Sequence, residues 1–391
     1  MEEWKEYKIE EIISEISMGP FGSDVKKDVY TSFGVPILNG SNLQGFKLKE
    51  DSFGYVSEEK ANSLKKCNAH RGDIIVTHRG TLGQIVYIPD DSKYDRYVIS
   101  QSQFRLSCKS DIVRPDFLVY LFHTKEGQYK ILSNASQVGV PALARATTTF
   151  RQIKVNIPSL CVQTKIMNIL SSLDEKIEVN RRINDNLEQQ AQALYKQWFV
   201  DNSSEEWEEK SLGEIINIYD SLRRPLSGHQ RDKMEKIYPY YGAASLMDYV
   251  DNYLFDGVYL LLGEDGTVVD NLGYPILQYV WGKFWVNNHA HILTGANGYS
   301  TETLYILLKQ TSVKSIVTGA VQPKISQANL KSIQIVTPPI DLLDKFNKLI
   351  TPLFDNIRNN IEQNHRLTTL RDTLLPKLMS GELSVEDVSV D

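Results

Sequence analysis

A string led by tryptophan and closed by an isoleucine pair occurs twice in this chain. Residues 4–13 read WKEYKIEEII and residues 207–216 read WEEKSLGEII, an offset of 203. Further on, FRQIKVNIPSL at 150–160 is matched by LKSIQIVTPPI at 330–340, now at an offset of 180. Ile153 falls on Ile333, Val155 on Ile335 and Pro158 on Pro338, and just upstream Pro141-Ala142-Leu143 is similar to Pro323-Lys324-Ile325. Matched order at both ends of two segments restricts the chain to two copies of one structural unit. The change of offset means that the halves differ in length between fixed ends, so the ends are alike and the middles diverge.

The segments downstream of Pro158 and Pro338 repeat as well. Leu173, Ile177, Asn180, Asn184, Leu187, Ala191, Leu194 and Trp198 are spaced 4, 3, 4, 3, 4, 3, 4, and Leu353, Ile357, Asn360, Asn364, Leu367, Arg371, Leu374 and Leu378 keep the same steps. A sustained 3.5-residue period is the pattern of a coiled-coil helix. Ser171 with Asp174 three residues on, and Thr351 next to Pro352, are helix-start signals, and Ser380-Gly381 is a stop. Each helix is thus expected to run for about 28 residues, on the order of 40 Å. Its apolar stripe needs a partner, and the nearest is the other helix of the same chain. Asn180, Asn184, Asn360 and Asn364 occupy equivalent seam positions, where asparagine either fixes register or rotates out to solvent.

The middles read as mixed α/β with many short strands. Residues 73–77 and 84–88 form two strands around His78-Arg79-Gly80-Thr81-Leu82-Gly83, and residues 258–262 lead into Gly263-Glu264-Asp265-Gly266-Thr267. The shared strand–polar–Gly-Thr element predicts a hairpin with glycine at the turn. Further along, Ser100-Gln101-Ser102-Gln103-Phe104 parallels Asn287-Asn288-His289-Ala290-His291. The loops are rich in groups suited to phosphates and base edges. In the first half these are Lys26, Lys27, Arg79, Thr81, Gln101, Arg145 and Thr148; in the second they are Arg223, Arg224, Gln230, Arg231, Lys233, Asn288, His289, Gln322 and Lys324.

Several function classes are disfavoured. There is no nucleotide-cradling GxxxxGK[ST] and no Gly-rich loop placed for S-adenosylmethionine. The histidines and carboxylates form no recognisable triad or nuclease cluster, which points away from an enzyme. Thr337-Pro338-Pro339-Ile340 is better explained as the junction matching Asn156-Ile157-Pro158-Ser159 than as an amino-methyltransferase motif. His289-Ala290-His291 offers two histidines with no third ligand nearby in sequence, so no metal site is expected. Cys67, Cys108 and Cys161 lie far apart, as reduced thiols of a cytoplasmic protein would. No apolar run approaches the roughly 20 residues that span a bilayer, and the polar Met1–Glu6 start lacks the order of a signal peptide. A net charge of −6 is low for a protein that binds DNA alone, so the cationic surface must be local or completed by a partner.

Together these features resemble the specificity subunits of type I restriction–modification systems. The resemblance rests on residues 169–178 (ILSSLDEKIE), 195–201 (YKQWFVD) and 374–383 (LLPKLMSGEL), with weaker support from 72–77, 287–291 and 322–325. It implies an α/β (α+β) fold class: two target recognition domains at residues 1–158 and 206–338, and helical spacers at 159–205 and 339–391. The spacers would form an antiparallel coiled coil, giving the repeat a pseudo-twofold character. It also implies double-stranded DNA as ligand, two copies of a DNA methylation subunit carrying S-adenosylmethionine, and a restriction/translocase subunit using ATP and Mg. This chain itself would hold no cofactor. Two readers about one helical turn apart, near 35 Å, would recognise a bipartite, asymmetric target. One departure stands out, since similar proteins often carry a basic residue where Glu264 and Asp265 lie between the glycines. The competing readings are a non-DNA scaffold with two ligand-binding domains, or the recognition subunit of a motor-less methylation system.

Overall fold

The computed structural model describes residues 4–22, 24–133, 135–136, 139–319 and 321–387. Met1-Glu2-Glu3, the first half of the polar N-terminal start, lie outside them. The chain divides into two compact units, residues 1–178 with 364–391, and residues 179–363. Each unit therefore takes a portion of both long helices, whereas the sequence sets the helices apart as separate spacer segments.

In the first unit, one antiparallel sheet has the order Ile13–Met18, Gln103–Cys108, Ile74–Thr77, Ile85–Tyr87. A second has the order Gly54–Val56, Val35–Ile37, Arg96–Val98, Asn68–His70. The strand Ile74–Thr77 is apolar in its first three residues because both of its faces are covered. Ile74 and Val76 enter a core with Phe104, Leu106, Phe117 and Phe122, while Ile75 enters another with Val86, Ile88 and Tyr97.

The second unit repeats this arrangement. Its sheets run Ile216–Ile218, Ala290–Gly295, Tyr259–Gly263, Leu277–Val280 and Leu246–Val250, Tyr238–Tyr241, Lys283–Val286, Phe255–Asp256. Here Leu260 and Leu262 face one core and Leu261 the other. Both predicted hairpins form, with Gly80 (φ 90°) and Gly266 (φ 84°) in the left-handed region that glycine tolerates. The second is wider than expected: its return strand begins only at Leu277.

The matched ends of each half are bonded to each other. Lys5–Lys8 pairs with Lys154–Ile157, and Glu208–Ser211 pairs with Gln334–Thr337, both antiparallel. Ile9 N donates to the Ile153 carbonyl at 2.9 Å and Leu212 N to that of Ile333 at 2.7 Å. The end strings recur together because they form one two-stranded closure.

The helices start earlier than the sequence signals place them. They span Leu160–Tyr195 (36 residues) and Ile340–Ser380 (41 residues), and the first continues as a wider π-helical turn over Lys196–Asp201. Ser171 and Thr351-Pro352 are interior positions, so the expectation of about 28 residues falls short. The stop at Ser380-Gly381 holds: Gly381 takes φ 74° directly after the last helical residue.

Within each unit the helix segments pack antiparallel. In the first, Asp174 pairs with Arg371 at 2.6 Å, and Asn364 Nδ2 donates to the Ile177 carbonyl at 3.3 Å. In the second, Asn180 Nδ2 donates to Gln363 Oε1 at 2.7 Å, and Tyr195 and Phe199 pack on Phe346. Every proposed seam residue is buried or half-buried: Leu173, Ile177, Asn180, Asn184, Leu187, Leu194, Leu353, Ile357, Asn360, Asn364, Leu367 and Leu374. Asn180 is wholly enclosed, so the solvated alternative does not hold there.

Candidate nucleic-acid interface

In the first unit the hairpin loop after Ile74–Thr77 is held by backbone bonds to two other loops. His78 N donates to the Ser102 carbonyl at 2.9 Å, Gly80 N to Pro141 at 2.8 Å, and Leu143 N returns to His78 at 2.8 Å. The His78 ring, which burial pulls below its usual pKa, bonds through Nε2 to the Gln101 carbonyl at 3.1 Å. Arg79 bridges to Ala142 by its backbone. These contacts bring Arg79, Gln101 and the 140–145 segment together on one loop cluster. Gly22 lies against the Gln101 side chain, which adds the loop carrying the 83% exposed Phe21.

Lys26, Lys27, Arg79, Thr81, Gln101, Arg145 and Thr148 are all exposed. Arg145 is one of two non-glycine residues with positive φ (48°) among the described residues, at the entry to the helix Ala146–Arg151. An arginine held in the left-handed region on an exposed loop costs on the order of 1 kcal/mol. The side chains of Lys26, Lys27, Arg79 and Arg145 form no ion pair among the described residues.

The second unit uses the same frame with different chemistry. Glu264 N donates to the His289 carbonyl at 2.8 Å, Gly266 N to Pro323 at 3.0 Å, and Ile325 N to Glu264 at 2.8 Å. Asp265 bridges to Lys324 by its backbone. These bonds join the positions that the repeat equates with 78, 80, 102, 141 and 143. The shared frame thus reaches into middles that share little sequence.

Below this loop is a buried charge network. Asp220 Oδ2 faces His291 Nδ1 at 2.6 Å and receives Gln327 Nε2 at 2.5 Å, while His291 Nε2 faces the Ile325 carbonyl at 2.8 Å. Arg223 contacts Glu264 at 2.5 Å and Asp220 at 3.4 Å and donates to the carbonyls of Asn288 and Ala290. Burial pushes Asp220 and Glu264 up, but His291 and Arg223 outweigh it and hold both carboxyls below their ordinary values. Asp220, Glu264 and His291 bring ligand atoms within 4.8 Å of one another, two carboxylates that the sequence does not place beside His291. His291 sits with its two ring nitrogens against the Asp220 carboxylate and the Ile325 carbonyl, and the Arg223 guanidinium lies between the two carboxylates. The cluster ties the loop to the sheet through these internal hydrogen bonds and ion pairs.

The remaining second-unit candidates separate into engaged and open groups. Arg231 contacts Asp248 at 3.0 Å and lies over the Tyr240 ring, and Asp248 is held down to about 2 by Lys236 first, then by the Tyr249 backbone N–H and Arg231. Gln230 accepts from Ser227 N at 2.9 Å as a helix cap, His289 meets Asp265 at 2.5 Å, and Lys324 meets Glu264 at 3.2 Å. Arg224, Lys233, Asn288 and Gln322 are exposed, and neither Arg224 nor Lys233 forms an ion pair among the described residues. Arg223, read from sequence as a surface cation, is instead internal, its side chain only 13% exposed. Asp220 and Gln327 escape detection by sequence because nothing in their local strings marks them, and Glu264 stands out there only as an acidic departure between the glycines; the fold brings the three together.

Among the described residues no helix is long and apolar enough to cross a membrane. Comparison with known proteins agrees with the repeat. The chain is 25% identical over 429 residues to the type I restriction enzyme MjaIX specificity subunit of Methanocaldococcus jannaschii, covering 99% of this chain and 95% of that protein. It is 24% identical over 472 residues to the HindI specificity subunit of Haemophilus influenzae, covering 98% and 100%. The fold is shared with the crystal structure of a type I restriction–modification system S subunit from M. genitalium, with TM-score 0.59, 21% identity and 96% of both chains covered. The family described as type I restriction modification DNA specificity domain matches twice, at residues 1–189 and 204–370. With both halves matched, the chain belongs to the type I restriction–modification DNA specificity family.

Proposed function

We propose that this chain is the DNA-reading subunit of a type I restriction–modification complex, with each unit reading one half of a bipartite, asymmetric target. The observation that carries this reading is the pair of loop frames, alike in backbone bonding and different in the side chains they present. One scaffold used twice with unlike tips suits two unlike half-sites. Lys26, Lys27, Arg79 and Arg145 in the first unit, and Arg224 and Lys233 in the second, are the cations available to phosphates and base edges. Arg223 and Arg231 hold the loops instead. Methylation of adenine, with S-adenosylmethionine, would belong to two copies of a partner subunit docked on the helices, and ATP-driven restriction to a third subunit. This chain supplies specificity and no catalytic group.

The net charge of −6 fits this division, because local cations suffice when partners close around the duplex. The test is fluorescence anisotropy on target duplex at several salt concentrations. Expected are weak, strongly salt-dependent binding by the chain alone and tight specific binding once the methylation subunits are added. Nanomolar specific binding by the chain alone at physiological salt would contradict the division.

A further inference from the structure

Residues 79 and 265 are the same position of the two units. Arg79 bridges Ala142 and Asp265 bridges Lys324, each one residue beyond a backbone donor to an equivalent carbonyl and one before a left-handed glycine. A Cβ placed on either glycine, Gly80 or Gly266, would meet nothing within 4 Å, so both tips face open space. Their chemistry is opposite. The Arg79 guanidinium is exposed and has no partner among the described residues. The Asp265 carboxylate is fixed by His289 Nδ1 on Oδ1 at 2.5 Å, and its Oδ2 accepts no hydrogen bond among the described residues.

We propose that residues 79 and 265 are specificity-determining positions that each read one base pair of their own half-site, with opposite hydrogen-bonding sense. Arg79 donates to the O6 and N7 acceptors of guanine. Asp265 accepts from an exocyclic amine in the major groove, cytosine N4 or adenine N6. The charge decides between base and backbone for Asp265: a carboxylate turned towards phosphates is repelled, whereas against an amine it gains a charge-assisted bond. His289 holds one oxygen and so orients the other, and the exposed Arg224 and Lys233, unpaired among the described residues, can meet the flanking phosphates. The inference rests on the DNA-reading function proposed for the chain.

The test uses the full chain co-expressed with its methylation subunits, with methylated adenines mapped across the host genome for the wild type, Arg79→Gln and Asp265→Asn. Expected is a bipartite wild-type motif in which Arg79→Gln relaxes one position of one half-site and Asp265→Asn one position of the other. The preference at that base pair should fall on the order of ten- to a hundredfold. Arg79 is exposed and unpartnered, so its arm remains informative even if Asp265→Asn fails to assemble. An unchanged motif in Arg79→Gln, or in an assembled Asp265→Asn, overturns the proposal while leaving the DNA-reading function intact. So does a uniform drop in methylation at every site, the mark of a phosphate contact. Absence of any bipartite motif in the wild type would instead overturn the underlying function.

Discussion

Asn360 donates through Nδ2 to Asn184 Oδ1 at 2.9 Å, joining the two long helices within the second unit. Asn184 in turn donates to the Ile357 carbonyl at 3.3 Å. The equivalent bond in the first unit, Asn364 to the Ile177 carbonyl, also measures 3.3 Å. An asparagine reaching the backbone of the facing helix fixes register, because a slip by one position leaves its amide against apolar side chains.

Asn184→Ala should therefore lower the stability of the second unit by about 1–3 kcal/mol, since Asn360 loses its acceptor in a half-buried seam. A double-mutant cycle of Asn184→Ala with Asn360→Ala, read by urea unfolding, should show coupling of at least about 0.5 kcal/mol. Strict additivity would mean that the two amides are solvated independently.

The adjacent arginines should behave oppositely. Arg223→Ala removes the cation between Asp220 and Glu264 and should cost about 3–5 kcal/mol, because both carboxylates are then buried without it. Arg224→Ala should leave the melting temperature unchanged while weakening DNA binding by the assembled complex and reducing its salt slope by about 1. Differential scanning fluorimetry and anisotropy separate the two outcomes.

Acid sensitivity should trace to Asp220. Its folded pKa lies below the ordinary value, so its contribution is present above the unfolded pKa of about 3.9 and is lost as pH falls through the lower folded value. Melting temperatures should stay level from neutral pH down to about pH 4 and fall below it. Asp220→Asn should be less stable at neutral pH and lose less on acidification, with Glu264 and Asp248, also held low, contributing to the remaining acid limb.

Gly381→Ala should destabilise the first unit by at least about 1–2 kcal/mol. The residue sits at φ 74°, and an added Cβ would lie 2.8 Å from Trp4 Nε1. Thermal unfolding with and without the change tests this.

The helix seam is legible in the sequence because a 3.5-residue period needs only the facing helix to explain it. The helix starts are not. Val162, Ile166, Met167 and Leu170, like Leu343, Phe346 and Ile350, pack into the cores of their units, so their spacing answers to sheet and loop neighbours. Pro352 has the look of a first-turn residue but is tolerated inside the helix, where the missing N–H would have faced the carbonyl of the exposed Lys348. Arg79 and Arg145 stand out by residue type and are indeed exposed. Arg223 is misread as a surface group because burial by Glu264, distant in sequence, leaves no local mark. The equivalence of Arg79 with Asp265 is present in the matched Gly-Thr strings, but its meaning needs the backbone bonds.

The central claim, that two like units read two unlike half-sites, is tested most directly by mapping methylated adenines in cells that express the chain with its methylation subunits. Expected is one motif of two dissimilar specific segments separated by a fixed unspecific gap. A single uninterrupted motif, two identical segments, or no sequence preference would contradict it.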